Sequence, residues 1–206
     1  PYVMGEGTKK LSKRDPEANL FHHRDRGFIP EGLLNYLSLL GWGLSADQDI
    51  FTMDELVAAF DVKNVNPNPA RFDQKKADAI NAAHIRLLTL DDFKSRLMPY
   101  LQSAGIVGAT LSAQEDSILT AVSPLIQERL VVLSEAPDLV SFLFKTADQI
   151  VIEDDAKAGL PENTAEVLGA AVAALEPIAD ADFKTESVQA ALQAALIDGL
   201  GLKPRV

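Results

Sequence analysis

The feature that most limits what this chain can fold into is its spacing of apolar residues, which recurs at three and four positions through most of its length. Alternating apolar and polar runs, which a half-buried strand needs, are nearly absent. Pro30 suits a first helical turn, Leu33, Leu34, Leu37 and Leu40 share a face, and Gly41 stops the run before Trp42. Thr52 and Glu55 form a capping-box pair ahead of a helix through Phe60, and Asp73 suits the cap of a helix to about Ile85. Leu90, Phe93, Leu97, Met98 and Leu101 make the next stripe, closed by Gly105. Ser112 and Glu115 make a second capping box, Ser123-Pro124 marks a fresh start through "LIQERLVVL", and "APDLVSFLF" restarts after Pro137. "LPENTAEVLGAAVAALEPI" and "TESVQAALQAALIDGLG" are alanine-rich and amphipathic. The expected fold class is all-α. Tyr2 and Val3 suit a short strand with no evident partner, and "NVNPNPARFD" reads as loop because of Pro67 and Pro69. A composition shift puts a boundary near residue 89, with Gly105 to Gly108 as the alternative.

The remaining composition narrows the function classes. No apolar run reaches the length of a membrane span, and the polar N-terminus lacks the apolar core of a signal peptide. Cysteine is absent, and the three histidines lack a His-x-x-x-His spacing, which argues against disulfides and a zinc site. The cytosol is the expected compartment. The chain opens on Pro1 and closes on "LGLKPRV", so both ends read as cuts from a longer protein. Net charge is -11, unevenly spread: residues 1–88 carry 11 Lys and Arg against 12 Asp and Glu, and residues 89–206 carry 8 against 18. An acidic body disfavours indiscriminate binding of polyanions, so any nucleic-acid contact should be local.

Against that background Lys9, Lys10, Lys13 and Arg14 cluster on a loop containing Gly5 and Gly7. Glycine permits backbone conformations closed to other residues, and lysines on such a loop reach phosphates as mobile point charges. Two ammonium groups and the Ser12 hydroxyl on a short arc suit stabilisation of a phosphoryl or pyrophosphate group. The plain alternative is a solvated basic run.

The longer string "KKLSKRDPEANLFHHRDRGFIPEGLLNYLSLLGW" resembles bacterial-type glutamyl-tRNA synthetases, which are class I aminoacyl-tRNA synthetases. "KLSKR" matches their KMSKS-type signature, with arginine in the last position as is usual there. "IFTMDELVAAFDVKNVNPNPARFDQKKADAINAAHIR" continues the match, and "ERLVVLSEAPDLVSFLF" resembles part of the anticodon-binding helical cage. The resemblance implies that residues 1–14 end the catalytic nucleotide-binding domain, 15–88 form the stem-contact helical domain, and 89–206 form the anticodon-binding cage, with a possible further split near 150. It implies that Lys13 binds ATP phosphate and stabilises adenylate formation, with Lys10 and Ser12 supporting the loop and its nucleotide contacts. The substrates it implies are Mg-bound ATP, glutamate and tRNA(Glu), for a monomer with no membrane partner. The family's His-x-Gly-His-type motif and its glutamate-binding residues are absent from this sequence. The 206 residues are therefore expected to be inactive alone, as the tRNA-binding portion of the parent enzyme.

Other cations are candidates for that contact. Arg24 and Arg26 of "HHRDR" can meet the inner corner of the tRNA, or merely form a polar helix face with Asp25 and Arg26 paired. Arg86 falls in a segment that in the family lies near the tRNA, whereas His84 and Trp42 read as core. Arg129 is the only Lys or Arg between residues 97 and 144. Guanidinium reads base edges in fixed geometry, and the resemblance makes Arg129 an anticodon contact; a salt bridge to Glu128 or Glu135 is the alternative. The competing function is a helical protein-interaction module. A glutaminyl relative would carry β-barrel anticodon domains, for which strand patterns are lacking here, and shortened relatives that glutamylate a tRNA base end soon after the signature loop.

Overall fold

The computed structural model describes residues 2–5, 10–12, 14–15 and 18–203. Its elements are mostly helical: β1 (Val3–Met4), α1 (Leu20–Asp25), α2 (Pro30–Leu39), α3 (Met53–Ala59), β2 (Ala70–Arg71), α4 (Gln74–Leu87), α5 (Leu90–Ser103), α6 (Ala113–Gln127), α7 (Ala136–Val140), α8 (Asp154–Ala158), α9 (Thr164–Leu175) and α10 (Thr185–Leu192). Contacts divide the chain into two units, Pro1–Ile150 and Val151–Val206.

In the first unit the caps do what their chemistry dictates. Thr52–Glu55 and Ser112–Glu115 both close reciprocal capping boxes, and Asp73 and Thr89 accept from the N–H groups of Lys76 and Asp92. The expected loop at 64–73 departs from its reading. Ala70–Arg71 pairs in parallel with Val3–Met4, because Pro69 holds the backbone extended and the Ala70 and Phe72 N–H groups donate to the Tyr2 and Met4 carbonyls. The strand at the N-terminus therefore has a partner. Pro124 also departs from its expected role: it lies inside α6, and no helix starts there. Its missing N–H breaks one bond, but Leu119, Ser123 and Ile126 are buried on both sides, and the Ser123 hydroxyl donates to the Leu119 carbonyl. Proline 137 sits in the first turn of α7, which passes into a 3-10 turn at Ser141–Phe144.

Two clusters fill this unit. Phe28, Tyr36, Ala77, Ile80 and Val132 centre one, between α2 and α4. Gly32 lets these helices approach closely, since a Cβ there would lie 2.8 Å from the Asn81 Cα. Ile29, Ile85, Phe93, Leu97, Leu101, Leu119, Leu130 and Val140 form most of the other. Burying each such side chain contributes about 1.5–3 kcal/mol. Trp42 is buried edge-on against Phe51, with ring centroids 5.7 Å apart. His84 is buried too, and its Nε2 must donate to Asn35 Oδ1 at 2.8 Å, since that oxygen also accepts the Phe51 N–H.

Between α5 and the start of α2, Arg96 makes a bidentate pair with Glu31 (2.7 and 2.8 Å) and also holds Asp92. Its hydrogen bonds pull the Glu31 carboxyl below its ordinary value of 4.5, against the opposing effect of burial. A depressed carboxyl contributes stability above the unfolded-state value and loses it as pH falls through the folded-state one. The stability gap between wild type and Glu31→Gln should therefore be full near neutral pH and should close as pH falls below about 4.5. Denaturant titrations at a series of pH values check this; a gap that persists undiminished in acid would remove the ion pair as its source.

The second unit is a small helical group in which α9, α10 and a π-helical turn at Gln193–Gly199 pack together. The turn ends near Gly201, whose φ of +66° only glycine adopts readily.

Candidate nucleic-acid interface

The cations singled out by sequence occupy three places in the first unit. The signature segment leaves β1 and returns beside it: Lys10 bridges antiparallel to Met4, and the Leu11 N–H donates to the Val3 carbonyl. Lys10 is exposed, with Nζ 5.5 Å from the centre of the Tyr2 ring. A turn follows. The Ser12 N–H donates to the Asp15 carboxylate at 2.6 Å, and Ser12 Oγ accepts the Arg14 N–H at 3.2 Å. With its acceptor role used in this way, the Ser12 hydroxyl keeps its proton to donate outward. Lys13 lies outside the described residues.

At α1, Asn19 caps the helix and Gly27 ends it. Arg24 pairs with Asp25 at 3.0 Å, and Arg26 pairs with Asp78 of α4 at 3.4 Å. The expected local pair of Asp25 with Arg26 is replaced because Arg26, the capping residue, faces α4. Both arginines are thus partly neutralised in place.

The third place joins residues far apart in sequence. The buried Gln127 donates through Nε2 to the carbonyls of Ile85 (2.8 Å) and Leu88 (2.9 Å), tying the ends of α4 and α6 together. Arg86 then donates to the Glu128 carbonyl at 3.3 Å and lies 3.7 Å from its carboxylate. Arg129 follows directly, exposed, and makes no ion pair among the described residues. Glu135, its other possible partner, instead accepts the N–H groups of Val131 and Val132. Two arginines therefore flank one glutamate where two helix C-termini meet. That location explains Arg86 in part without any ligand, since carbonyl-rich helix ends favour cations. Arg129, one residue past the cap of α6, shares that helix-end setting but pairs with no carboxylate among the described residues. No local signal in the sequence marks Gln127, and the only sign of Arg71 is a lone cation between Pro69 and Phe72.

Among the described residues no group of acidic or histidine side chains could hold a metal, and no helix is long and apolar enough to cross a membrane.

Residues 92–205 match the sequence family described as anticodon binding domain. The chain belongs to the anticodon-binding domain family. Ahead of that match, residues 1–79 fit the family described as tRNA synthetases class I (E and Q), catalytic domain. This anticodon-binding family member is 63% identical to a glutamate–tRNA ligase of Arthrobacter sp. over 206 residues, 60% to that of Paenarthrobacter aurescens over 205, and 57% to that of Leifsonia xyli over 206. It spans 40–42% of the length of these relatives. Its fold resembles two solved structures at 23% identity. One is a glutamate tRNA ligase from Elizabethkingia meningosepticum in complex with its amino acid (TM-score 0.76, 98% of this chain and 42% of that one). The other is the glutamate–tRNA synthetase of Elizabethkingia anophelis (TM-score 0.73, 98% and 41%).

Proposed function

We propose that this chain is the tRNA-binding portion of a glutamate–tRNA ligase. The observation that carries the reading is the order of the two family matches, a catalytic-domain end at 1–79 followed by an anticodon-binding domain at 92–205. In the whole ligase, the glutamate carboxylate attacks the α-phosphate of Mg-bound ATP and displaces pyrophosphate. A terminal ribose hydroxyl of the tRNA then attacks the glutamyl carbonyl and releases AMP. Residues 1–14 supply the signature loop, in which Lys10, Ser12 and Lys13 meet ATP phosphates. Residues 15–88 form the stem-contact domain and 89–206 the anticodon-binding cage. Arg24, Arg26, Arg86 and Arg129 contact the tRNA, and Arg129 reads the anticodon. These remote contacts orient the acceptor end for transfer. The ligase works as a cytoplasmic monomer.

The test is a titration of the chain with tRNA(Glu) and tRNA(Asp) across a range of salt. Selective binding of the first, weakening as salt rises, is the expected result. Equal weak binding of both would count against the reading. Arg129→Ala should reduce affinity for tRNA(Glu) by about tenfold with an unchanged circular dichroism spectrum. Unchanged affinity would remove Arg129 from the anticodon contact.

A further inference from the structure

Among the described residues, Arg24, Arg26, Arg86 and Arg96 each hold a carboxylate, whereas Arg14, Arg71 and Arg129 pair with none of the described carboxylates. Arg71 is the one among these three that is fixed in a sheet. It is the register partner of Met4 on β2, while Lys10 pairs with Met4 from the other side. Residues paired directly across neighbouring strands project from the same face. Lys10, Met4 and Arg71 therefore share one face of this small sheet. The contact of Lys10 with Tyr2 is an independent mark of that face, because Tyr2 and Met4 are two residues apart on one extended segment. On the opposite face Phe72 packs into the cluster centred on Tyr36, edge-on to that ring at 5.1 Å. Two strand spacings put the Lys10 and Arg71 backbones about 10 Å apart, so both long side chains can converge on one anion.

Both cations are exposed, and their register is set by backbone pairing. A fork of guanidinium donors beside a mobile ammonium is suited to a phosphate, which the guanidinium can hold with two parallel hydrogen bonds. Resting on the ligase reading above, we infer that Arg71 is a phosphate-binding residue that works with Lys10 at the signature loop. The phosphate belongs to ATP or to the tRNA backbone.

The experiment uses the full-length ligase that carries this segment, with steady-state aminoacylation measured while ATP, tRNA(Glu) and glutamate are varied in turn. Arg71→Ala should raise KM for ATP or for tRNA by about tenfold and leave KM for glutamate unchanged. A rise confined to ATP assigns the phosphate to the nucleotide, and one confined to tRNA assigns it to the backbone. Arg71→Lys should recover part of the loss, since it restores the charge without the fork. Arg71→Met, which keeps an apolar stem in the strand, should behave as Arg71→Ala does. Unchanged constants in an active wild-type background would overturn the inference alone, as would an equal rise in all three, which marks general disruption. A wild-type enzyme that fails to charge tRNA with glutamate would overturn the ligase reading and this inference with it.

Discussion

Gly27→Ala should destabilise the first unit by about 4 kcal/mol or more, among the largest effects available to a single methyl group. Gly27 closes α1 with a φ of +93°, its N–H donating to the Arg24 carbonyl while the Phe28 N–H reaches back to His23. The backbone conformation alone would cost alanine about 1–2 kcal/mol. The larger part comes from space. A Cβ at Gly27 would lie 2.4 Å from the Leu133 nitrogen and 2.5 Å from the Ser134 nitrogen. Those are main-chain atoms, so no side chain can rotate away. They are also pinned, because the Leu133 N–H donates to the Gly27 carbonyl at 3.0 Å and the Ser134 hydroxyl donates to the Arg26 carbonyl at 2.6 Å. Gly105→Ala is the control. Its φ of +70° imposes a similar conformational cost, yet nothing lies within 4 Å of the added carbon. Chemical denaturation should show the first variant to be several-fold more costly than the second; equal losses would mean that the 133–134 backbone yields, contrary to the close approach described.

The contrast between these glycines shows what was legible in the sequence. Gly105 stops a helix by a local rule, and its stripe and stop were readable from spacing. So were the capping boxes at Thr52 and Ser112, since donor and acceptor lie three residues apart. The importance of Gly27 depends on residues 133–134, more than a hundred positions away, and no periodicity encodes that distance. The β1–β2 pair escaped for the same reason. Each strand is two residues long, too short for an alternation signal, and the partner was hidden in a segment whose prolines argue for loop. Pro124 misled because proline opens helices far more often than it sits inside them, and only the buried flanks of α6 reverse that preference.

The candidate site divides along the same line. Lys10, Ser12 and Lys13 were readable as a contiguous motif, and Arg129 stood out by the absence of other cations around it. That Arg86 reaches Glu128, the neighbour of Arg129, depends on Gln127 reaching two carbonyls some forty residues away. That Arg71 pairs with Met4 opposite Lys10 depends on strand register. Motif chemistry is local and survives in the sequence, while convergence of single cations is a property of the fold.

Asn81→Leu should cost about 3–5 kcal/mol, because it strands a buried backbone N–H and a part-buried carbonyl at once. The Asn81 side chain is fully buried; its Oδ1 accepts the Ile29 N–H at 2.9 Å, and its Nδ2 donates to the Val131 carbonyl at 2.7 Å. One amide thus holds the entry to α2 and the segment after Arg129 against α4. Leucine keeps the branching and the number of side-chain heavy atoms but offers neither group a partner, and each unsatisfied group costs about 1–3 kcal/mol. Asn81→Asp separates the two bonds: it keeps an acceptor for Ile29 and turns a carboxylate toward the Val131 carbonyl. In that variant, raising pH through the carboxyl's titration should deepen the loss, since the charged form is buried without a cation. Gly32 provides a cross-check. Its added Cβ would lie 2.7 Å from Asn81 Oδ1 but also 2.8 Å from the Asn81 Cα. Gly32→Ala should therefore remain destabilising after Asn81→Ala, because trimming the side chain leaves the main-chain clash. Recovery of stability in that double mutant would show that the α2–α4 approach is limited by the amide and not by the backbones.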